Sequence, residues 1–137
     1  MGCDIHAFLE VVNPTDNSAN FISKIEIERS YCLFAFMANV RNIPERGLKF
    51  PVFEPKGMPV KVSKEVQDKL EGEFDDHSHS WLSLEEIEEV QRRYQSHIDL
   101  GEQIPNGPSP SLAELITKMR FLKNEGREPR LIFYFDN

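Results

Sequence analysis

The 137 residues are 39% hydrophobic and 28% charged, with ten Phe. This is the composition of one globular domain over 1–137, and it excludes a disordered chain, a collagen, a coiled coil or a disulfide miniprotein. Sixteen Lys and Arg against 23 Asp and Glu leave a net charge of −7, which argues against general nucleic-acid binding because that relies on a basic surface.

From Cys3 to Val12 the odd positions are apolar or small, while Asp4, His6 and Glu10 share the even face. A period of two with β-branched content predicts a strand. Residues 13–18 are a turn cluster, and Phe21 to Arg29 alternates again. The expectation is an antiparallel hairpin with one wet face. Ser30 is placed to cap a helix over Tyr31–Val40, which is apolar on nearly every side and therefore buried. That helix delivers Arg41 and Asn42 at its C-terminal end. Residues 42–62 hold Pro44, Gly47, Pro51, Pro55, Gly57 and Pro59, a long irregular loop of the kind that carries function. Ser63 then caps a short helix running to Glu71 and ended by Gly72.

Phe74 to Trp81 is a polar segment ahead of the next helix. Ser83 with Glu86 forms a capping box, followed by Leu84, Ile87, Val90, Tyr94 and Ile98 at helical spacing, with His97 assigned to the surface. Ser111 with Glu114 forms a second capping box, with Leu112, Leu115, Ile116, Met119 and Leu122 as its apolar stripe and Gly126 past its end. Arg130 to Asp136 is a strand apolar on both faces, expected at the centre of the sheet beneath helices. The class is α+β: a small, mostly antiparallel sheet packed against three to four helices.

Chemistry concentrates where elements end. Asp4 and His6 share one face of the first strand, Asp76-His77-Ser78-His79-Ser80-Trp81 precedes a helix, and Asp136-Asn137 closes the last strand. If the first and last strands pair antiparallel, Asp4 and Asp136 share one edge. Asp4, His6, His77, His79 and Asp136 are carboxylate and imidazole donors of the kind that hold a divalent cofactor such as Zn²⁺ or Mn²⁺. Cys3 with His6 or His77 offers a thiolate–base pair. Arg41 to Lys64 carries six basic residues against Glu45 and Glu54, or +4, which leaves −11 on the rest. Such a segment suits a small anion. Arg41 can grip a phosphate with two parallel hydrogen bonds, and Trp81, Phe50, Phe53 and Tyr31 offer planar rings for stacking.

The opening Met-Gly-Cys-Asp-Ile-His resembles that of a family of small phage and prophage proteins whose function is largely undescribed. The resemblance extends to Leu33-Phe34-Ala35, Ala38-Asn39-Val40-Arg41-Asn42, Gly57-Met58-Pro59, residues 76–81 and the ending Ile132-Phe133-Tyr134-Phe135-Asp136-Asn137. It implies a phage-type origin and action in the host bacterial cytoplasm, and it transfers no catalytic assignment. By a looser analogy, small phage proteins block host immunity by sequestering nucleotide-derived signals.

Three functions are consistent with these residues. The first is anti-defence: a pocket built from Asp4, His6, Arg41, Asn42, Asp76, His77, Ser78, Ser80, Trp81 and Asp136 holds a small anionic nucleotide-like ligand. The second is a metal-dependent hydrolase or phosphoesterase using the Asp-x-His and His-x-His donors. The third is an inhibitor that docks on a host protein, with the acidic helix from Leu84 to Ile98 imitating nucleic-acid charge. No apolar run nears the roughly 20 residues of a membrane span, and no basic segment precedes an apolar stretch at the N-terminus, so no membrane partner is expected and Cys3 and Cys32 are expected as free thiols. The sequence leaves homo-oligomerisation open.

Overall fold

The computed structural model describes residues 2–70, 72, 75–101 and 109–137. It is an α+β structure with a four-stranded antiparallel sheet and four α-helices. The strands are β1 (Asp4–Val12), β2 (Ala19–Ile25), β3 (His77–Ser83) and β4 (Glu128–Asp136), in the order β2-β1-β4-β3. The helices are α1 (Tyr31–Ala38), α2 (Lys64–Leu70), α3 (Leu84–Asp99) and α4 (Pro110–Asn124), with a 3₁₀ turn at Pro44–Arg46. The expected end of α2 at Glu71, and Phe74, lie outside the described residues.

β1 and β4 form the spine. Their register pairs Asp4 with Asp136, His6 with Tyr134, Phe8 with Ile132 and Glu10 with Arg130. Alternation therefore sorts the two strands into two faces. Ala7, Leu9, Val11, Leu131, Phe133 and Phe135 face the main core, which α1, α3 and α4 complete. Phe34, Phe36, Phe133 and Phe135 are fully buried there, and each contributes roughly 1.5–3 kcal/mol of hydrophobic stabilisation.

The even face is not wet. Phe8, Ile132 and Tyr134 pack with Val66 of α2 into a second cluster, joined by Phe21, Met58, Val62 and Trp81. The proline-rich loop supplies the cover, and a period-two pattern cannot report it because the covering residues lie some fifty positions away. Glu10 is buried in this layer. Its carboxylate accepts from Arg130 Nε (3.1 Å), Arg130 Nη2 (3.0 Å) and the Ser63 backbone N–H (2.7 Å).

Helix ends follow their capping residues. Ser30 Oγ accepts from the Leu33 N–H, and Asn39, left-handed at φ 56°, ends α1 two residues before the expected Val40. The Ser83–Glu86 capping box opens α3 as expected. The second box does not form: Ser109 caps α4, with Pro110 at its first turn. His97 is 3% exposed rather than on the surface. It follows Tyr94 by three residues, which returns it to the inner face of α3, against the Phe36 ring at 5.9 Å.

β3 is a strand where the sequence offered only a polar segment. Seven residues containing three serines and two histidines have little intrinsic strand character. Pairing with β4 on one side creates it. The loop seals the other side, where Gly57 N–H donates to His79 O (2.8 Å) and Lys56 N–H donates to Ser80 Oγ (3.0 Å).

Candidate functional site

Antiparallel pairing brings the start of β1 and the end of β4 together, as the sequence suggested. His6 Nε2 and Asp136 Oδ2 lie 2.6 Å apart, and the Asp4 backbone N–H donates to Asp136 Oδ1 at 3.4 Å. Asp4 itself accepts two 2.8 Å bonds from Arg29 Nε and Nη2. This charge-assisted fork holds the Asp4 carboxyl below the usual carboxylate range.

α1 begins beside the start of β1. Tyr31, its first residue, accepts the Cys3 backbone N–H through its hydroxyl (3.0 Å). Two guanidiniums lie over the same ring, Arg41 at 5.0 Å and Arg46 at 5.5 Å from its centroid. Arg46 Nε also donates to the Arg41 carbonyl. Arg41 adopts φ 56°, the left-handed region that a side chain with a Cβ occupies at a cost.

β3 closes the cluster. Ser78, at φ 54°, is the second such residue outside asparagine among the described residues. It lies inside a bulge: His77 pairs with Phe135 and Ser80 with Phe133, so three steps on β3 match two on β4. His77 Nδ1 is 2.9 Å from Ser78 Oγ, and His77 Nε2 is 3.2 Å from Asn137 Oδ1. Arg41 Nη2 donates to that same Asn137 oxygen at 3.4 Å.

The bulge also separates two of the expected metal donors. Regular alternation would aim His77 and His79 to one face. The extra residue instead stacks His77 on Phe135, which belongs to the main core, and His79 on Tyr134, which belongs to the second cluster. Asp4 is engaged by Arg29, and His6 is engaged by Asp136 and stacks on Tyr134. Among the described residues no three His, Cys, Asp or Glu side chains come together as metal ligands. Burial pushes the His79 imidazole down, with Asp76 opposing that shift and His77 adding to it. A thiolate role for Cys3 also fails, because the residue is fully buried and burial raises its thiol, against the pull of Arg41. Cys32, pushed up to about 11 by burial, is equally inert.

The ten residues expected in one pocket divide. Asp4, His6, Arg41, His77, Ser78 and Asp136 gather at the polar end of the sheet, with Asp76 close enough to act on His79. Asn42 donates to Asn39 Oδ1 and borders a separate hollow with Ile43 and Pro44. Ser80 is buried and ties down Lys56. Trp81 pairs with Ile132, four residues along β4 from Asp136, or about 13 Å. There it lines a recess of about 710 Å³ with Pro59, Val60, Lys61, Pro129 and Arg130. Lys56 Nζ sits 3.8 Å from the Trp81 ring centroid while reaching Glu86 at 2.6 Å, so one ring face already carries a cation.

The sequence reading missed Arg29 and counted Arg46 only among the six basic residues of the segment 41–64. The first ends an alternating segment and the second lies inside the loop, and only the folded arrangement brings both beside Asp4 and Tyr31. The acidic helix offers little to a partner that reads negative charge. Glu85, Glu86, Glu88 and Glu89 are paired with Lys123, Lys56, Arg120 and the Arg92–Arg93 pair. No helix among the described residues is long and apolar enough to cross a membrane. Comparison with family models, curated proteins and solved structures finds no match for this chain.

Proposed function

We propose that the polar end of the sheet binds a small anionic, nucleotide-like ligand through its phosphate. The observation that carries this reading is the pair of guanidiniums, Arg41 and Arg46, crowded over one Tyr31 ring. Each guanidinium offers charge-assisted hydrogen bonds to a phosphate oxygen. Arg41 is held there by a left-handed backbone, and strain of this kind concentrates where a side chain must be aimed. His77 and Ser78 add hydrogen-bonding groups beside Arg41, while the His6–Asp136 pair, about one-third exposed, borders the same region.

Taken with the resemblance to small phage proteins, the role is to remove a host signalling nucleotide, which is an anti-defence activity in the bacterial cytoplasm. Trp81 is not part of this site, since it pairs with Ile132 midway along β4, about 13 Å from Asp136. Specificity for the nucleoside half therefore comes from the surroundings of Tyr31 rather than from an indole.

The test is calorimetry of the full chain against cyclic dinucleotides, ADP-ribose, AMP and inorganic phosphate. The expected result is micromolar or tighter binding of at least one nucleotide, weakened about tenfold or more in Arg41→Ala, in line with the loss of a charge-assisted hydrogen-bond pair. Absence of binding by every nucleotide at high micromolar concentration overturns the reading.

A further inference from the structure

We infer that Ser78 is an activated nucleophile, with His77 as its base and Asn137 as the group that orients the base. The class of substrate is a small phosphodiester or other electrophilic phosphorus ester. The inference rests on the anion-binding reading for its ligand but not for its chemistry.

The argument starts from which atoms can donate. Asn137 Oδ1 is a carbonyl oxygen and only accepts. His77 Nε2, 3.2 Å away, must therefore carry the ring proton and donate it. The neutral ring then leaves Nδ1 with its lone pair free, and Nδ1 is the atom 2.9 Å from Ser78 Oγ. The Ser78 hydroxyl donates to it. Nucleophile, base and orienting group are thus connected in the order that activates a serine. Arg41 donates to the same Asn137 oxygen and places a cation beside the chain of bonds.

Backbone geometry supports the same assignment. Ser78 has φ 54° within the β3 bulge, although glycine would occupy that position without strain. A serine held in the left-handed region on a sharp bend projects its hydroxyl away from the backbone, as nucleophilic serines do. Bulges of this kind re-aim side chains beside active sites. His77 stacks on Phe135, which fixes the plane of the ring.

The step is balanced as follows. Ser78 Oγ bonds to phosphorus, the P–O bond to the leaving alcohol breaks, and the hydroxyl proton passes to His77 Nδ1. His77 returns that proton to the departing alkoxide. Water, with His77 again as base, then cleaves the Ser78 phosphoester and restores the free hydroxyl.

A fluorophosphonate ester tests the serine without needing a nucleotide. Attack forms the Oγ–P bond and expels fluoride, and the adduct is stable enough for intact-mass measurement and peptide mapping. The expected result on the folded full chain is one adduct, on Ser78. Ser78→Ala removes it, and His77→Gln slows it about 100-fold or more, as loss of a general base does. Asn137 is a positioning residue: Asn137→Leu slows labelling, and Asn137→Asp, which keeps an acceptor, restores it. Ser78→Cys provides a variant labelled by iodoacetamide, while buried Cys3 and Cys32 stay unmodified. A wild-type chain that is folded by circular dichroism and gains no adduct on Ser78 overturns the inference, as does a rate indifferent to His77→Gln. Nucleotide binding without an adduct removes only the serine chemistry. An adduct without nucleotide binding removes only the proposed ligand.

Discussion

The two ends of the β1–β4 pair carry similar residues in contrasting states. At one end Glu10 faces Arg130 across the strands, and at the other Asp4 faces Asp136 with His6 beside it. Glu10 is fully buried and accepts from three donors, while Arg130 also donates to the Lys61 carbonyl at 2.6 Å. This pair fastens the covering loop to the sheet. The polar end is about one-third exposed at His6 and Asp136 and half exposed at Asp4 and Arg29. It also holds Arg41 and Ser78 in left-handed conformations. Saturated hydrogen bonding under full burial marks an anchor, whereas solvent exposure beside backbone strain is the pairing on which the proposed binding site rests.

The largest effect expected from this contrast is at the anchor. Arg130→Met leaves Glu10 buried with no cation, and the cost should be about 3–5 kcal/mol in urea unfolding. Adding Glu10→Leu removes the stranded charge and should recover much of that loss. A single substitution costing under about 1 kcal/mol would mean that the loop is held by its apolar contacts alone. Neither change should alter reactivity at Ser78 in chains that remain folded, because Ser78, between the pairs His77–Phe135 and Ser80–Phe133, lies some four residues, or about 13 Å, along β4 from Arg130.

How legible this contrast is in the sequence depends on how local its causes are. Ser30, Ser83 with Glu86, and the apolar stripes of α3 and α4 act within a turn or two, and the elements they predict form. The meeting of Asp4 with Asp136 followed from two strand assignments and one pairing. β3 was hidden because its partners, β4 and the loop at Lys56–Gly57, create the strand that its composition does not favour. The Ser78 bulge followed from that omission. Without it, the spacing of His77 and His79 suggested a shared metal, and Trp81 seemed to belong to the same recess. Glu10 was grouped with Asp4 and His6 by alternation, yet nothing near it in sequence indicates that Ser63 and Arg130 enclose it.

His97 is the exception that sharpens the comparison. It is buried like Glu10, but its Nδ1 has no hydrogen-bond partner among the described residues. An unsatisfied buried polar atom costs free energy, and a side chain of similar size without that atom avoids it. His97→Leu should therefore raise unfolding stability by about 1 kcal/mol and leave fluorophosphonate labelling unchanged. A loss of stability would show that the imidazole is satisfied in solution and that saturation is the rule throughout the interior.

A smaller effect separates strain from contact at the polar end. Ser78→Gly accommodates φ 54° without a Cβ. The relief should add about 0.5–1 kcal/mol of stability, of the size seen when a left-handed position receives glycine. The same substitution removes the hydroxyl, so labelling disappears while melting temperature rises. Ser78→Ala keeps the strain and loses the hydroxyl, and it should gain no stability. If the glycine variant is less stable than wild type, the His77–Ser78 bond outweighs the strain and the bulge is structural.

The smallest effect concerns acid stability. The hydrogen bonds from Arg29 hold the Asp4 carboxyl below its ordinary value, with partial burial opposing them. A carboxyl whose folded value is depressed adds stability that is fully present above the unfolded value near ~3.9 and is lost as pH falls through the lower folded one. Because Asp4 and Arg29 are half exposed, solvent screens the pair, and its contribution to stability is small. Arg29→Gln should lower stability at neutral pH by that small amount and flatten the decline below about pH 4, while 1 M salt should shrink the difference between the two proteins. A difference that survives high salt and low pH alike would come instead from the packing of Arg29 over Gly2, where the guanidinium occupies the space a Cβ would need. The polar end would then share the anchor's dependence on fit, and its charges would be left for the ligand alone.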